Sequence, residues 1–355
     1  MSSETGNKIK VNIFGESHGT AIGAVIDNLP SGEYIDFEEL LNFMKRRQGG
    51  NNVYSTSRKE ADVPEVLSGI KDGYTTGAPL AFIIRNENTR SKDYKTDIPR
   101  PGHADFTAYV KYNGFSDLRG GGHFSGRLTA PLCAVGGILM QILRRYGINI
   151  VAHLASVGDI EDNKINDMLF DESLRDTINK SDFPTFSEDV ARKMQNYILE
   201  AKEEGDSVGG CVECAIYGVP AGVGNPLFDG IENRISSVIF GIGGVRGIEF
   251  GAGFDAALMR GSENNDEFYI EDDAVLTKTN NHGGVLGGIT TGMPIVFKTA
   301  FKPTPSISKT QGSVSFSKNE NTELSTEGRH DPCIAVRAVP CVEAAAAVAI
   351  ADFVL

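Results

Sequence analysis

The chain has 355 residues, of which 40% are apolar and 23% are charged, and its formal net charge is −13 at pH 7. This composition is typical of a folded globule with a sizeable core, and the length fits one large domain or two smaller ones. The acidic balance argues against nucleic acid as a partner, because nucleic-acid-binding proteins usually present a basic face.

The N-terminal segment MSSETGNKIKVNIFG does not have the order of a signal peptide, which is a basic region followed by an apolar one. No apolar run is long enough to span a bilayer, and the C-terminal stretch VEAAAAVAIADFVL predicts a buried helix. The chain has five cysteines, an odd number that does not suggest a disulfide framework. We therefore expect a cytoplasmic protein with reduced thiols and no membrane partner.

Three segments of the first half resemble three segments of the second half, in the same order. The first pair, 25–44 and 215–235, has a strand, a Pro–Gly turn and a helix. The second pair, 66–84 and 285–301, has a glycine-containing turn and a strand. The third pair, 127–143 and 337–353, has an arginine, a proline and a small-residue helix. We predict an internal duplication inside a single domain of residues 1–355, with halves of about 1–150 and 207–355. Chance similarity among segments rich in glycine and alanine is the alternative.

The small-residue helices at 127–146 and 342–354 predict how the two halves meet. Residues such as Gly136 and Ala344 allow two helix backbones to approach closely, with the sheets outside them. The expected fold class is therefore α/β (α+β), a layered protein with one core.

The segment between the halves, about 159–206, is rich in Asp, Glu, Asn and Lys and poor in glycine. Thr185 and Glu188 have the spacing of a capping box at the start of a helix. That helix would carry an apolar face made of Val190, Met194, Ile198 and Ala201. We predict a peripheral acidic lobe with a surface helix, away from the chemical centre.

Two groups that could bind metals are interpreted as structural. Cys211 and Cys214 have CxxC spacing, but residues three apart on a strand face opposite sides, and no second CxxC completes a zinc site. His153 lies in an apolar strand. The sequence therefore predicts no metal site.

Four other histidines lie in turns marked by glycine or proline, where a ligand can reach them: His18 in GESHG, His103 in RPGHAD, His123 in GGGHFSGR and His330 in GRHDPC. Basic residues stand beside turns of the same kind: Arg46, Arg47, Arg100, Arg127, Lys302 and Arg329. One such residue alone is usually a solvated charge. Their concentration in an acidic chain predicts a basic pocket for a small polyanion, because guanidinium groups match phosphate and carboxylate geometry.

The motif GGGHFSGR at 120–127 leads into the predicted helix at 127–146, whose N-terminus favours an anion. It matches neither a Walker loop nor a dinucleotide fingerprint. We predict an anion cradle with Ser125 and Arg127 as contacts, and His18 and His103 as proton donors to a leaving oxyanion. The residues alone indicate an enzyme or a binder of phosphorylated, carboxylated small molecules and do not identify the reaction.

Seven motifs occur in a fixed order over essentially the whole chain: GESHG, RRQGG, RPGHADF, RGGGHFSGR, NHGGVLGGITTGMPI, KPTPSI and GRHDPC. In these motifs the chain resembles the chorismate synthases. The resemblance implies a lyase that converts 5-enolpyruvylshikimate 3-phosphate to chorismate by 1,4-anti elimination of phosphate, with reduced FMN as cofactor. It also implies a homotetramer with a βαβ-sandwich fold in which antiparallel sheets enclose central helices.

The resemblance also assigns roles to individual residues. His18 would protonate the departing phosphate and His103 would lie beside the flavin; the other catalytic positions are Ser17, Ser125 and Asp331. The substrate-binding positions are Arg46, Arg47, Arg100, Arg127 and Arg329. The FMN-binding positions are His123, Phe124, Ser125, Gly243, Gly244, Gly287, Lys302, Pro303, Thr304, Pro305, Ser306 and Arg329.

Some members of that family reduce their own flavin with NADPH. This chain shows no added flavin-reductase segment, so we expect an external flavin reductase or reductant, with NADPH acting only indirectly. Two other classes are the alternatives. One is a phosphatase with a phosphohistidine intermediate, and the other is a flavin-storage protein without chemistry.

Overall fold

The computed structural model describes residues 3–50, 54–55, 60–87, 97–165, 168–326 and 330–355. Its strands are β1 (Glu4–Thr5), β2 (Lys10–Gly15), β3 (Ala21–Asp27), β4 (Glu65–Ser68), β5 (Ile70–Lys71), β6 (Tyr74–Thr75), β7 (Leu80–Arg85), β8 (Asn149–Val157), β9 (Ile160–Glu161), β10 (Gly210–Tyr217), β11 (Val245–Phe250), β12 (Phe268–Glu271), β13 (Ala274–Thr277), β14 (Val285–Leu286), β15 (Ile289–Thr290), β16 (Ile295–Phe301), β17 (Gln311–Ser315) and β18 (Glu320–Leu324). Its helices are α1 (Phe37–Lys45), α2 (Asp105–Lys111), α3 (Thr129–Arg145), α4 (Glu172–Lys180), α5 (Glu188–Glu203), α6 (Ile231–Ile239), α7 (Gly261–Asn264) and α8 (Ala335–Val354).

Two five-stranded sheets, each antiparallel at every strand pair, form the outer layers. Their strand orders are β1-β2-β3-β7-β4 and β11-β16-β10-β8-β9. In β7, LAFIIR, buried and less buried residues alternate, so one face of the strand packs on the core. In β10, GCVECAIY, seven of the eight residues are buried, because both faces of that strand are covered.

The helices α3 and α8 lie between the sheets and pack against each other. α3 contacts the first sheet, and α8 contacts β8 and β10 of the second. A Cβ atom added at Gly136 would lie 2.3 Å from Cβ of Ala344, so the close helix crossing requires glycine there. The predicted central helices are thus confirmed, with sheets outside them.

The two halves have the same order of elements. One runs β2-β3-α1-β4-β7-α3 and the other β8-β10-α6-β11-β16-α8, and the corresponding strands take the same places in their sheets. The internal duplication stays a prediction. In this topology β8 precedes the acidic lobe and yet belongs to the second sheet, whereas the sequence placed the start of the second half at about 207.

The acidic lobe is inserted between β8 and β10. Its helix α5 buries Met194 and Ile198 in the main core, and Val190 and Ala201 pack against that core, which confirms the predicted apolar face. The N-cap is Ser187 rather than Thr185, because Ser187 Oγ accepts the Val190 N–H at 3.3 Å.

The cysteines form no disulfides, and a long apolar helix is mostly buried inside the protein. All five cysteines are unlinked, and Cys214 is buried while Cys211 on the other face of β10 is half-buried. Among the described residues, Gly126–Arg145 alone is long and apolar enough to cross a membrane, yet 78% of its apolar window is buried inside the protein, as in a core helix. No group of acidic, histidine or cysteine residues suited to a metal occurs in the described parts of the chain.

Candidate functional site

A cavity of about 580 Å³ is lined by residues of both halves. Six of its lining residues carry a positive charge: Arg47, Arg100, Arg127, Arg246, Lys302 and Arg337. Three carry a carboxylate: Glu60, Asp62 and Asp331. Positive charge therefore predominates in this cavity although the chain is acidic, and the volume lies within the range of about 300–1,000 Å³ typical of small-molecule sites.

One buried carboxylate joins two of the arginines. Oδ2 of Asp62 lies 2.7 Å from Nη1 of Arg47, and its Oδ1 accepts a hydrogen bond from Nη1 of Arg127. All three side chains are at most 6% exposed. Two guanidinium groups thus share the negative charge of Asp62, and Glu60 of the same lining adds a second carboxylate that acts on Arg127.

Other backbone and side-chain oxygens fix these two arginines. Arg47 donates to Thr129 Oγ1 at 2.8 Å and to the Gly126 carbonyl at 3.2 Å. Arg127 donates to Asn86 Oδ1 at 2.9 Å. Burial lowers the pKa of Arg127, and the charge of Asp62 opposes that shift.

On another wall, Arg100, His103 and Asp105 form a compact cluster at the start of α2. Asp105 Oδ1 lies 2.6 Å from His103 Nδ1, and Arg100 donates to both carboxylate oxygens, at 2.7 and 2.8 Å. Burial raises the pKa of Asp105, but the hydrogen bonds from Arg100 and His103 outweigh it and hold the pKa far below its usual range. Asp105 is therefore ionised throughout the physiological range.

The three glycines of GGGHFSGR have positive φ angles of 62°, 84° and 53°. A Cβ at Gly120 would lie 2.5 Å from the His18 ring and 2.9 Å from Ser17 Oγ, and a Cβ at Gly121 would lie 3.2 Å from the His103 ring. The loop therefore needs glycine for two reasons, left-handed backbone and close approach of two histidines.

The expectation of a backbone anion cradle in this loop is only partly met. The N–H groups of Gly121, Ser125 and Leu128 donate to carbonyls within the loop, and Ser125 Oγ accepts the Arg127 N–H at 3.2 Å. These four donors are used internally. The loop's main contribution is to bring His18 and His103 to opposite ends of the same glycine pair.

Residues of the second half complete the cavity. Lys302 donates to the Gly102 carbonyl, and Arg100 Nη1 lies 3.3 Å from Ser306 Oγ, so both contacts join the halves. Partial burial, together with the charge of Arg246, lowers the pKa of Lys302. The sequence-predicted residues that line the cavity are Arg47, Arg100, His103, Phe124, Ser125, Arg127, Gly243, Gly244, Lys302, Thr304, Pro305, Ser306 and Asp331.

Other predicted residues lie outside the lining. Nη1 of Arg46 is 2.6 Å from Oε2 of Glu343 in α8, so this guanidinium is engaged in a core ion pair. His123 Nδ1 donates to the Gly15 carbonyl at 2.8 Å, and its Nε2 accepts from Ser3 Oγ at 3.0 Å. Neither side chain reaches the cavity, and the roles predicted for both as ligand contacts receive no support from the geometry.

Five further predicted site residues also lie outside the cavity lining or outside the described residues. Gly287 is exposed in the turn between β14 and β15, and Pro303 is absent from the cavity lining. Ser17 and His18 stand behind Gly120, which itself lines the cavity. Arg329 lies outside the described residues.

Sequence reasoning missed two basic residues of the cavity, Arg337 and Arg246. Arg337 donates to Asp331 Oδ2 at 2.7 Å and to the Arg47 carbonyl at 2.8 Å. The internal repeat was a usable signal, since it aligns Arg337 with Arg127. Arg246 lies in GIGGVRG, and a glycine cluster alone is weak evidence for a binding site. His330, which also lines the cavity, was identified only as a histidine that a ligand can reach and was assigned no role.

His330 is distinguished from the other cavity histidine by its surroundings. Burial, reinforced by the charge of Arg100, lowers its pKa to about 4. Its imidazole is therefore neutral at pH 7 and supplies one donor and one acceptor rather than a charge.

The fold and the cavity together define a class, a two-sheet α/β protein with a cationic cavity lined by residues of both halves. A family model described as chorismate synthase matches residues 9–355. The chain belongs to the chorismate synthase family.

Individual relatives agree over the full length. A chorismate synthase of Dehalococcoides mccartyi is 43% identical over 100% of this chain and 97% of its own length. One of Pyrococcus abyssi is 45% identical over 99% of this chain and 97% of its own length. A crystal structure of chorismate synthase matches with a TM-score of 0.78 at 29% identity, covering 98% of this chain and 92% of that one. The predicted fold class and family are thereby confirmed.

Proposed function

We propose that this protein is a lyase that converts 5-enolpyruvylshikimate 3-phosphate to chorismate by 1,4-anti elimination of phosphate, a step of aromatic amino-acid biosynthesis in the cytoplasm. The observation that carries the proposal is the cationic cavity in a chain of net charge −13. The substrate has a phosphate and two carboxylates, and a flavin mononucleotide adds a second phosphate. Ligands with several anionic groups need several cationic side chains around one cavity, and this cavity has six of them in its lining.

The donor set of the cavity fits reduced FMN. Besides its cationic groups, the lining includes Phe124, Phe240, Ile242, Phe301 and Ile334. Apolar and aromatic groups suit the flavin ring, while the guanidinium groups suit its phosphate. When bound, the reduced flavin supplies reversible electron donation that no side chain of the protein offers.

In this proposal the chain's own residues bind, orient and move protons. Arg47, Arg100 and Arg127 hold the anionic groups of the substrate, and the wall around Asp62 keeps two guanidinium groups in fixed positions. His103, whose ring lies against the glycine loop, stabilises negative charge on the bound flavin ring when both of its nitrogens carry a proton. His18 donates the proton to the leaving phosphate, and its ring lies against Gly120 of the cavity lining. Ser17, Ser125 and Asp331 serve the loss of the proton from C6 of the substrate.

The test is anaerobic incubation of the protein with 5-enolpyruvylshikimate 3-phosphate and photoreduced FMN, following chorismate absorbance. We expect turnover by the wild type and by Arg192→Ala, a variant of an exposed lobe residue. We expect a loss of about 100-fold or more in His18→Ala and His103→Ala, the usual contribution of a positioned proton donor.

The same assay separates the other classes of function. Phosphate release from generic esters without flavin would favour a phosphatase, and FMN binding without turnover would favour a storage protein. We also propose that flavin reduction is external. An arm with NADPH and oxidised FMN alone should therefore give no chorismate, and turnover in that arm would contradict this part.

We further propose that the protein works as a homotetramer. Large apolar side chains such as Phe254, Leu258 and Ile270 are more than 70% exposed, which is costly unless another surface covers them. Sedimentation velocity at assay concentration should give a single species of four chains. A monomer under those conditions would contradict the assignment.

A further inference from the structure

We propose that Asp105 is a positioning residue that fixes the ring of His103, with the proton on Nδ1 and Nε2 directed at the glycine loop of the cavity. The contact is short, with 2.6 Å between His103 Nδ1 and Asp105 Oδ1. A carboxylate only accepts hydrogen bonds, so Nδ1 carries the proton and Nε2 of the neutral ring is left as an acceptor. The catalytic consequence of this geometry rests on the proposed function, whereas the ring geometry does not.

Asp105 is itself held in place by one neighbour. Arg100 donates through Nε to Oδ2 at 2.7 Å and through Nη2 to Oδ1 at 2.8 Å, and its backbone N–H reaches Oδ2 at 3.0 Å. The carboxylate is 5% exposed. A bidentate guanidinium and a backbone donor leave the carboxylate of Asp105 little freedom to rotate. Its hydrogen bond with Nδ1 therefore fixes the orientation of the His103 ring.

The opposite side of the ring is limited by the glycine loop. A Cβ added at Gly121 would lie 3.2 Å from both Nε2 and Cε1 of the His103 ring and 3.5 Å from Cβ of Ser125. His103 is thus confined by a carboxylate at Nδ1, by backbone at Nε2 and by Arg100 Nη2, which lies 3.1 Å from Nδ1 and 3.4 Å from Nε2. Only 16% of its side chain is exposed. A ring held in this way has one tautomer and one orientation before any ligand arrives.

The charges around His103 come from several elements. Arg100 and Asp105 flank it within its own segment, His330 interacts with it from the start of α8, and Lys302 approaches through the Gly102 carbonyl. Asp105 is the anion in contact with the imidazole. Asp105→Asn therefore removes the anion that contacts the ring while keeping the shape of the side chain.

The first test uses ring-¹⁵N-labelled histidine and needs neither flavin nor substrate. In the wild type with the ring neutral, we expect a protonated-type shift at Nδ1 and an unprotonated-type shift at Nε2, assigned with His103→Ala. In Asp105→Asn the two shifts should move toward an average. Unchanged ring shifts in Asp105→Asn, or a wild-type ring protonated at Nε2, would overturn the proposal.

A matched control is Asp189→Asn. Asp189 also lies in the first turn of a helix and pairs with an arginine, Arg192, but its side chain is 80% exposed. This variant should leave the His103 signals unchanged. Thermal melting of Asp105→Asn and Asp189→Asn shows whether either variant loses its fold. Asp105→Glu is a second substitution at the same position that keeps the charge. Partial return of the wild-type shifts in Asp105→Glu is the expected result.

The second test is kinetic. In Asp105→Asn, kcat for chorismate formation should fall at least about tenfold, because the variant changes the orientation of His103. KM for substrate should stay within about threefold, because the amide oxygen of Asn still accepts a hydrogen bond from Arg100. A rise in KM at unchanged kcat would overturn the proposal. Absence of turnover in the wild type would instead refute the proposed function and leave the NMR result standing.

Discussion

At the scale of single residues, the cavity is organised by carboxylates that the sequence did not single out. Asp62 lies in EADVPE, which belongs to none of the seven motifs, and it becomes important only because it stands between Arg47 and Arg127. Its φ of 52° is an uncommon conformation for a residue with a side chain. The arginines could be predicted from their motifs, but the group that holds them could not.

Removing this carboxylate should destabilise the protein strongly. Asp62→Ala would leave two buried guanidinium groups adjacent and without a shared anion, which costs about 3–5 kcal/mol in the free energy of unfolding. Glu65→Ala is the matched control, because Glu65 pairs with Arg85 where both side chains are more than half exposed. That change should cost less than about 1 kcal/mol. Equal losses in chemical denaturation of the two variants would contradict the argument.

At the scale of elements, the acidic lobe is fastened to the second sheet by a buried charge cluster. His153 of β8 is fully buried, with Nε2 2.9 Å from Glu213 Oε2 in β10 and Nδ1 3.4 Å from Asp162 Oδ2. Burial lowers the pKa of His153, but the two carboxylates outweigh it and raise the pKa. The prediction that His153 is structural agrees with this position.

This cluster gives stability a defined pH dependence. Because the folded pKa of His153 is raised, its contribution is complete below about pH 6.5 and is lost as pH rises through the folded pKa. Asp162 and Glu213 have lowered folded pKa values, despite burial that raises them, so their contribution is lost as pH falls below about 4. His153→Gln should therefore reduce unfolding stability most between about pH 5 and 6.5, measured by denaturation across pH.

His282→Gln is a control in which the effect of pH on stability should run in the opposite direction to that of His153→Gln. Burial lowers the pKa of His282, so protonation at low pH disfavours the folded state. The stability difference between wild type and His282→Gln should shift in favour of the variant as pH falls below about 6.5. The same pH trend in both variants would show that the cluster around His153 is not the cause.

At the scale of the whole molecule, the two halves are joined by helices inside and by the cavity at their boundary. Arg127 begins the run into α3 and Arg337 lies in the first turn of α8, and both line the cavity with a carboxylate partner. The repeat in the sequence indicated this relation between segments. It did not indicate that the equivalent arginines converge on one site.

The sequence by itself determined the family through its ordered motifs, the small-residue helices through their composition, and the lobe helix through its apolar period. These features are local, and neighbouring residues are enough to specify them. The tertiary structure alone decided which charges share a partner: Arg46 with Glu343 in the core, Arg100 with Ser306 across the halves, and Asp62 with two arginines. Such pairs join residues far apart in the chain, and their partners are set by how helices and sheets pack rather than by any pattern along the sequence.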